Sequence, residues 1–178
     1  AGWMPATTPL SGNSTALTFG GSSSYTATND LSGTFQFNRL LFNNSAGTVT
    51  LSGNALNIVN PLNGNTVLPT LALTVAGNAT ISAPMTWSGE TTVTNSGSGT
   101  LLFNGNQTYN NGTKQTFINS GTGTITLVND SANDTAVAVA LSCPAIQAAS
   151  RSPRRRRWCT RRATTRSISG RCWWGRPG

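Results

Sequence analysis

The chain has no histidine and very few charged residues, and these two absences exclude several classes of function. Without histidine it lacks the usual general base, the partner of a catalytic serine and the commonest metal ligand. Charged residues make up 9% of the 178 residues, whereas globular domains carry about a quarter. Glu90, the only glutamate, has no obvious carboxylate partner for glycoside hydrolysis. We therefore expect that the chain is not an enzyme.

Cysteine is also scarce, and it is confined to one end of the chain. Cys143, Cys159 and Cys172 are the only three, and an odd number gives no closed disulfide framework. No Cys-x-x-Cys pair occurs, so a zinc site is not expected. No apolar run is long enough for a transmembrane helix. The start of the chain, AGWMP, is not a signal peptide, because it lacks a basic region and an apolar run.

The net charge of +8 hides a division of the chain into two parts. Up to Ala140 there are four acidic residues and only two bases, Arg39 and Lys114, whereas ten arginines lie from Arg151 onward. We predict an N-terminal lead-in (1–15), a repeat domain (16–140) and an Arg-rich tail (141–178).

The basic tail has three interpretations. Arginine and tryptophan pair with phosphates and bases in nucleic-acid binding, while charge runs are also typical of disordered, solvated tails. The third interpretation is an out-of-frame translation, because residues 144–152 can be encoded so that a shifted frame gives GNTGGITV, a sequence like the preceding repeats. Sequencing the gene across Leu141 distinguishes the third interpretation from the others.

What the chain before the tail does contain is short apolar alternation between turn residues. Leu17/Phe19, Phe35/Phe37 and Val49/Leu51 alternate with polar neighbours, the period-two pattern of half-buried strands. Clusters of glycine and asparagine separate these units, and both residues suit tight corners. No segment has a sustained helical period, so the chain is predicted to be all-β.

An internal repeat favours one β architecture over another. NSGSGTLLF at 95–103 recurs as NSGTGTITL at 119–127, which places Leu101 on Ile125 and Phe103 on Leu127 as a predicted core stack. Such stacking predicts a right-handed parallel β-helix of irregular coils of about 20–25 residues. The alternative is a β-sandwich of hairpin-connected strands. The many asparagines at corners, whose amides can bond the neighbouring coil, also favour the β-helix.

Four segments of this body resemble the autotransporter-associated β-strand repeat, whose coil has the pattern G-T-L-x-L-x-G-x-N-T-Y-x-G-x-T. They are LTFGG at 17–21, NDLSG at 29–33, GNATISAP at 77–84 and GTLLFNGNQTY at 99–109. The resemblance covers about residues 16–128. It implies a bacterial, exported, β-helical protein at the cell surface or in the extracellular matrix.

Few residues are candidates for a binding site. Asp130 and Asp134 lie beside asparagines and are the candidate ligands for calcium, the only cofactor the sequence suggests; a polar loop that caps the last coil is the alternative. Trp87 is the candidate for stacking on a glycan, and a core or edge position is its alternative.

The sequence therefore predicts a structural scaffold, secreted or at the cell surface, that is adhesive or self-assembles into filaments. Its partners would be further copies or neighbouring matrix components. A carbohydrate-binding or polysaccharide-acting β-helix is the alternative, and nucleic-acid binding follows only if the arginine tail is genuine. Flat threonine-rich faces also suggest ice binding, but the irregular spacing of the repeats does not favour it.

Overall fold

The structure, a computed structural model, describes residues 8–61, 68–110 and 115–128. These ranges contain β-strands and no helix, as the alternating pattern predicts. In chain order the strands are β1 (Ala16–Gly21), β2 (Tyr25–Asn29), β3 (Phe35–Phe37), β4 (Arg39–Asn44), β5 (Thr48–Gly53), β6 (Leu56–Ile58), β7 (Thr70–Leu73), β8 (Asn78–Ile81), β9 (Met85–Trp87), β10 (Thr91–Asn95), β11 (Thr100–Phe103), β12 (Gln107–Tyr109), β13 (Gln115–Asn119) and β14 (Thr124–Leu127).

Every third strand belongs to the same sheet, so the chain winds around an axis and returns to each sheet once per coil. Sheet A has the order β1-β4-β7-β10-β13, sheet B the order β2-β5-β8-β11-β14, and sheet C the order β3-β6-β9-β12. All strand pairs are parallel. The molecule is therefore a β-solenoid of about four turns, and the antiparallel β-sandwich is excluded.

The coils differ in length, as the irregular spacing before Ala83 predicts. On sheet B, Tyr25 pairs with Val49, Val49 with Ala79, and Ala79 with Leu101, so the step from Val49 to Ala79 is the longest of the three. This longest coil exceeds the predicted range of about 20–25 residues. Its extra residues lie between β6 and β7, where the chain passes from sheet C back to sheet A.

The core is the inside of the solenoid, and it is built from columns of apolar side chains. Alternate residues of each strand point inward, and the parallel register places each one on its counterpart in the next coil. On sheet A one column is Leu17, Leu40, Leu71, Val93 and Phe117. All five are buried. This stacking removes the apolar surface of one coil from water by covering it with the next, which no single coil can do alone.

Candidate functional site

The sequence-predicted core stack lies where the repeat placed it. β11 pairs with β14 so that Leu101 lies beside Ile125 and Phe103 beside Leu127, the same matches that the repeated segments give. All four side chains are buried. They pack the inner face of sheet B into the core, so they are not part of a surface site.

Trp87 also belongs to the interior. It is 0% exposed, and its indole Nε1 donates a hydrogen bond of 2.9 Å to Oε1 of Gln107. The ring stacks on Tyr109 with centroids 5.9 Å apart and contacts Phe103 at 5.6 Å. A ring enclosed in this way offers no face to a sugar. Trp87 therefore occupies the core position predicted from the sequence as the alternative to glycan stacking.

The calcium candidates, Asp130 and Asp134, lie outside the described residues, and so does the whole Arg-rich tail. Within the described ranges, no three potential metal ligands come together, and no helix there has the length and apolar character needed to cross a bilayer.

Buried asparagines at the corners tie one coil to the next. At the corner between sheets A and B, Nδ2 of Asn95 donates to the carbonyl of Gly99 in its own coil at 2.9 Å and to that of Thr124 in the next coil at 3.0 Å. Asn44 makes the same kind of bridge to Gly47 and to Asn78. The prediction that corner amides bond their stacked neighbours is thus confirmed.

The same corner brings successive coils into very close contact, and glycine makes that contact possible. A Cβ at Gly99 would collide with the carbonyl oxygen of Gly77, and one at Gly123 with the carbonyl oxygen of Gly99. The amide of Gly123 also donates to the carbonyl of Gly97 at 3.1 Å. The three glycines Gly77, Gly99 and Gly123 therefore form a column that only a residue without a side chain can occupy.

The outer faces of sheets A and B differ in chemistry. Sheet A's outer residues include Arg39, Leu41, Ala72 and Ile118 as well as threonines such as Thr94. Hydroxyl groups, apolar groups and a charge are therefore mixed on this face. The outer residues of sheet B along β5, β8, β11 and β14 are mainly threonines and include no charged group. The sequence suggested flat threonine-rich faces but not which strands form one, because that requires knowing which strands share a sheet.

Within the part of the chain that the structure describes, the first coil is one end of the stack. Within the described residues, β1 and β2 each pair with one strand only, while residues 11–15 cover part of β3 through bonds such as Gly12 N–H to the Gln36 carbonyl at 3.0 Å. Beside this edge an apolar recess is lined by Phe19, Ala27 and Leu51. On the same strand as Ala27, the hydroxyl of Tyr25 donates to the Gly20 carbonyl at 2.9 Å, and partial burial raises the pKa of this hydroxyl.

No family model, no curated protein and no solved structure matches the chain.

Proposed function

We propose that this chain is a structural scaffold of the bacterial cell surface or extracellular matrix, which works through its length, its stiffness and its polar faces. The observation that carries the proposal is the recurrence of three parallel sheets, two of five strands and one of four, which bond successive coils to one another. Such a stack is a quasi-one-dimensional body whose length grows with the number of coils. The resemblance of residues 16–128 to autotransporter-associated repeats supports export to the surface.

Self-association end to end follows from the same architecture. A strand that pairs on one side only presents a row of unpaired N–H and C=O groups, which is a template for another strand. The inner residue Ala27 on β2 is only half-buried, and the apolar recess lies next to it. A coil of a second copy that added to this edge would cover both the backbone groups and the recess, so filaments are the expected assembly.

A substitution on the open edge tests this assembly. Ala27→Lys places a charge on the inward side of the end coil, a feature that blocks edge-to-edge pairing in natural sheets. We expect the unchanged chain to sediment as larger species with rising concentration and to form filaments in electron micrographs, and the variant to remain small.

The matched control for Ala27→Lys is Thr94→Lys, which adds the same charge to the outer face of the interior strand β10. This control should assemble like the unchanged chain, and circular dichroism should show β-structure in all three proteins. A single monomeric species at every concentration of the unchanged chain would refute self-association.

A further inference from the structure

The outer face of sheet B carries a regular array of threonines. One row runs across the strands as Thr26, Thr50, Thr80, Leu102 and Thr126. A second row, two positions earlier on the strands, runs through Thr48, Asn78, Thr100 and Thr124. Seven of these nine outer positions are threonine, and all nine side chains are half-buried or exposed.

The irregular coil lengths leave this array undisturbed. A longer stretch of chain separates Thr50 from Thr80 than Thr100 from Thr124, yet both pairs are direct neighbours across strands. The extra residues of the longer coil fall between β6 and β7 in the sequence, outside the strands that form sheet B. The spacing of the repeats along the sequence is therefore no measure of the spacing on this face.

The spacing of the face follows from sheet geometry. Neighbouring strands lie about 4.8 Å apart, and residues i and i+2 of one strand lie about 6.6 Å apart. These two distances approach the repeat distances of water oxygens on the prism plane of hexagonal ice. Each threonine presents a methyl and a hydroxyl group, so the array can both exclude disordered water and bond an ordered layer.

Hydrogen bonds orient two threonine hydroxyls and one asparagine side chain of the second row. Oγ1 of Thr124 bonds Oγ1 of Thr100 at 3.2 Å, along the row. The N–H of Thr100 is bonded to Oδ1 of Asn78 at 2.8 Å, which fixes the same row one coil earlier. β-branched side chains also have few rotamers. The binding of an ordered water layer to this face would therefore cost little side-chain conformational entropy.

From this geometry we propose that the outer face of sheet B binds ice. Ice carries no net charge, and the outer positions of these rows have none. The two rows include no aromatic side chain on which a sugar ring could stack. The proposal is independent of the scaffold function, because it rests on one face and needs neither assembly nor secretion.

The test is to measure thermal hysteresis, the gap between the melting and freezing temperatures of an ice crystal, in solutions of the full chain. Uptake of fluorescently labelled protein into a growing ice hemisphere is the second measurement. We expect the unchanged chain to be taken up and to widen the gap. Thr50→Lys, which puts a charge between Thr26 and Thr80, should reduce the hysteresis by more than half at equal concentration.

Two further variants make the test specific. Thr94→Lys adds the same charge to the outer face of sheet A and should leave the hysteresis unchanged. Leu102→Thr completes the first row and should increase it.

Circular dichroism and sedimentation of every variant separate a lost face from a lost fold or a lost assembly. The absence of hysteresis in the unchanged chain would overturn the proposal, as would equal loss in the Thr50 and Thr94 variants. So would a folded Thr50→Lys variant that keeps full activity. If Thr50→Lys instead separates a dimer into monomers while the unchanged chain shows no hysteresis, the face is an interface between copies and the proposal is also overturned.

Discussion

Asn95 occupies a position in the interior that apolar residues fill in the preceding coils. Its column on sheet A runs through Phe19, Phe42 and Leu73 before it reaches Asn95 and Asn119. Asn95 is 0% exposed. Most buried polar groups in proteins make hydrogen bonds, and both the oxygen and the nitrogen of the Asn95 amide have partners, since Oδ1 accepts from the N–H of Gly97 at 3.1 Å. An interior position of this solenoid can therefore hold a polar side chain in one coil and an apolar one in the next, provided that the polar side chain finds hydrogen-bond partners there.

Gln107 shows the same principle beside Trp87. Its side chain follows Phe35, Leu56 and Met85 in the inner column of sheet C. Its oxygen accepts the indole N–H of Trp87, while Nε2 donates to the carbonyl of Gly105 at 2.8 Å. The amide thus satisfies a donor and an acceptor that would otherwise be buried without partners.

We expect Gln107→Leu to destabilise the fold, although leucine suits the column. The substitution leaves the indole N–H of Trp87 without its acceptor, and an unsatisfied buried polar group costs about 1–3 kcal/mol. The loss is measured as a lower urea midpoint of the full chain. Met85→Leu, a volume-conserving change in the same column, is the control and should cost less than about 1.5 kcal/mol. Equal midpoints for Gln107→Leu and the unchanged chain would contradict the role of the pair.

At the scale of the strand and corner, the glycine column sets how closely two coils can approach. Gly123 lies between β13 and β14, directly over Gly99, and its neighbour Asn119 donates to the Gly123 carbonyl at 2.8 Å. The corner therefore fixes the distance between coils at the point where the chain turns from sheet A to sheet B.

We expect Gly123→Ala to be strongly destabilising, because its Cβ would meet backbone that cannot move without separating β11 from β14. Forcing extra atoms into a packed site typically costs about 1–3 kcal/mol. Gly12→Ala is the matched control: its Cβ would meet only the hydroxyl of Thr15, at an ordinary 3.8 Å. Thermal unfolding of both variants is the measurement. If the two melt together, the close approach at Gly123 does not contribute to stability.

The elements also show which parts of the fold could be predicted from the sequence. The pairing of Leu101 with Ile125 was predictable because the two coils repeat one polar pattern at a constant spacing. The match of Leu73 with Asn95 was not, because it joins an apolar residue to a polar one. The interior position of Trp87 depends on its distant partner Gln107, and no local pattern indicates that pair. Prediction of the threonine face would have required the strand register across the longest coil, from Val49 to Ala79, and that coil has no counterpart elsewhere in the sequence.

At the scale of the whole molecule, stability is expected to vary along the axis. In a solenoid each coil contacts only its neighbours, so total stability is approximately a sum of coil and interface contributions. Strands β5, β8 and β11 have a bonded neighbour on both sides, whereas β2 has one within the described residues. The end coil can therefore open at a lower free energy than the middle of the stack.

Hydrogen exchange measures this gradient directly. We expect the amides of β8 to exchange more slowly than those of β2, since opening β8 breaks two strand interfaces and opening β2 breaks one. Gly123→Ala should accelerate exchange in β14 and β11 while leaving β2 unchanged, because β5 and β8 lie between the perturbed interface and β2. Acceleration by the same factor in all strands would instead mean that the solenoid opens as one cooperative unit. When interface energies are additive, the stability of each coil depends only on its neighbours, so coils can be added without weakening the rest of the stack. A scaffold that works through its length requires this property.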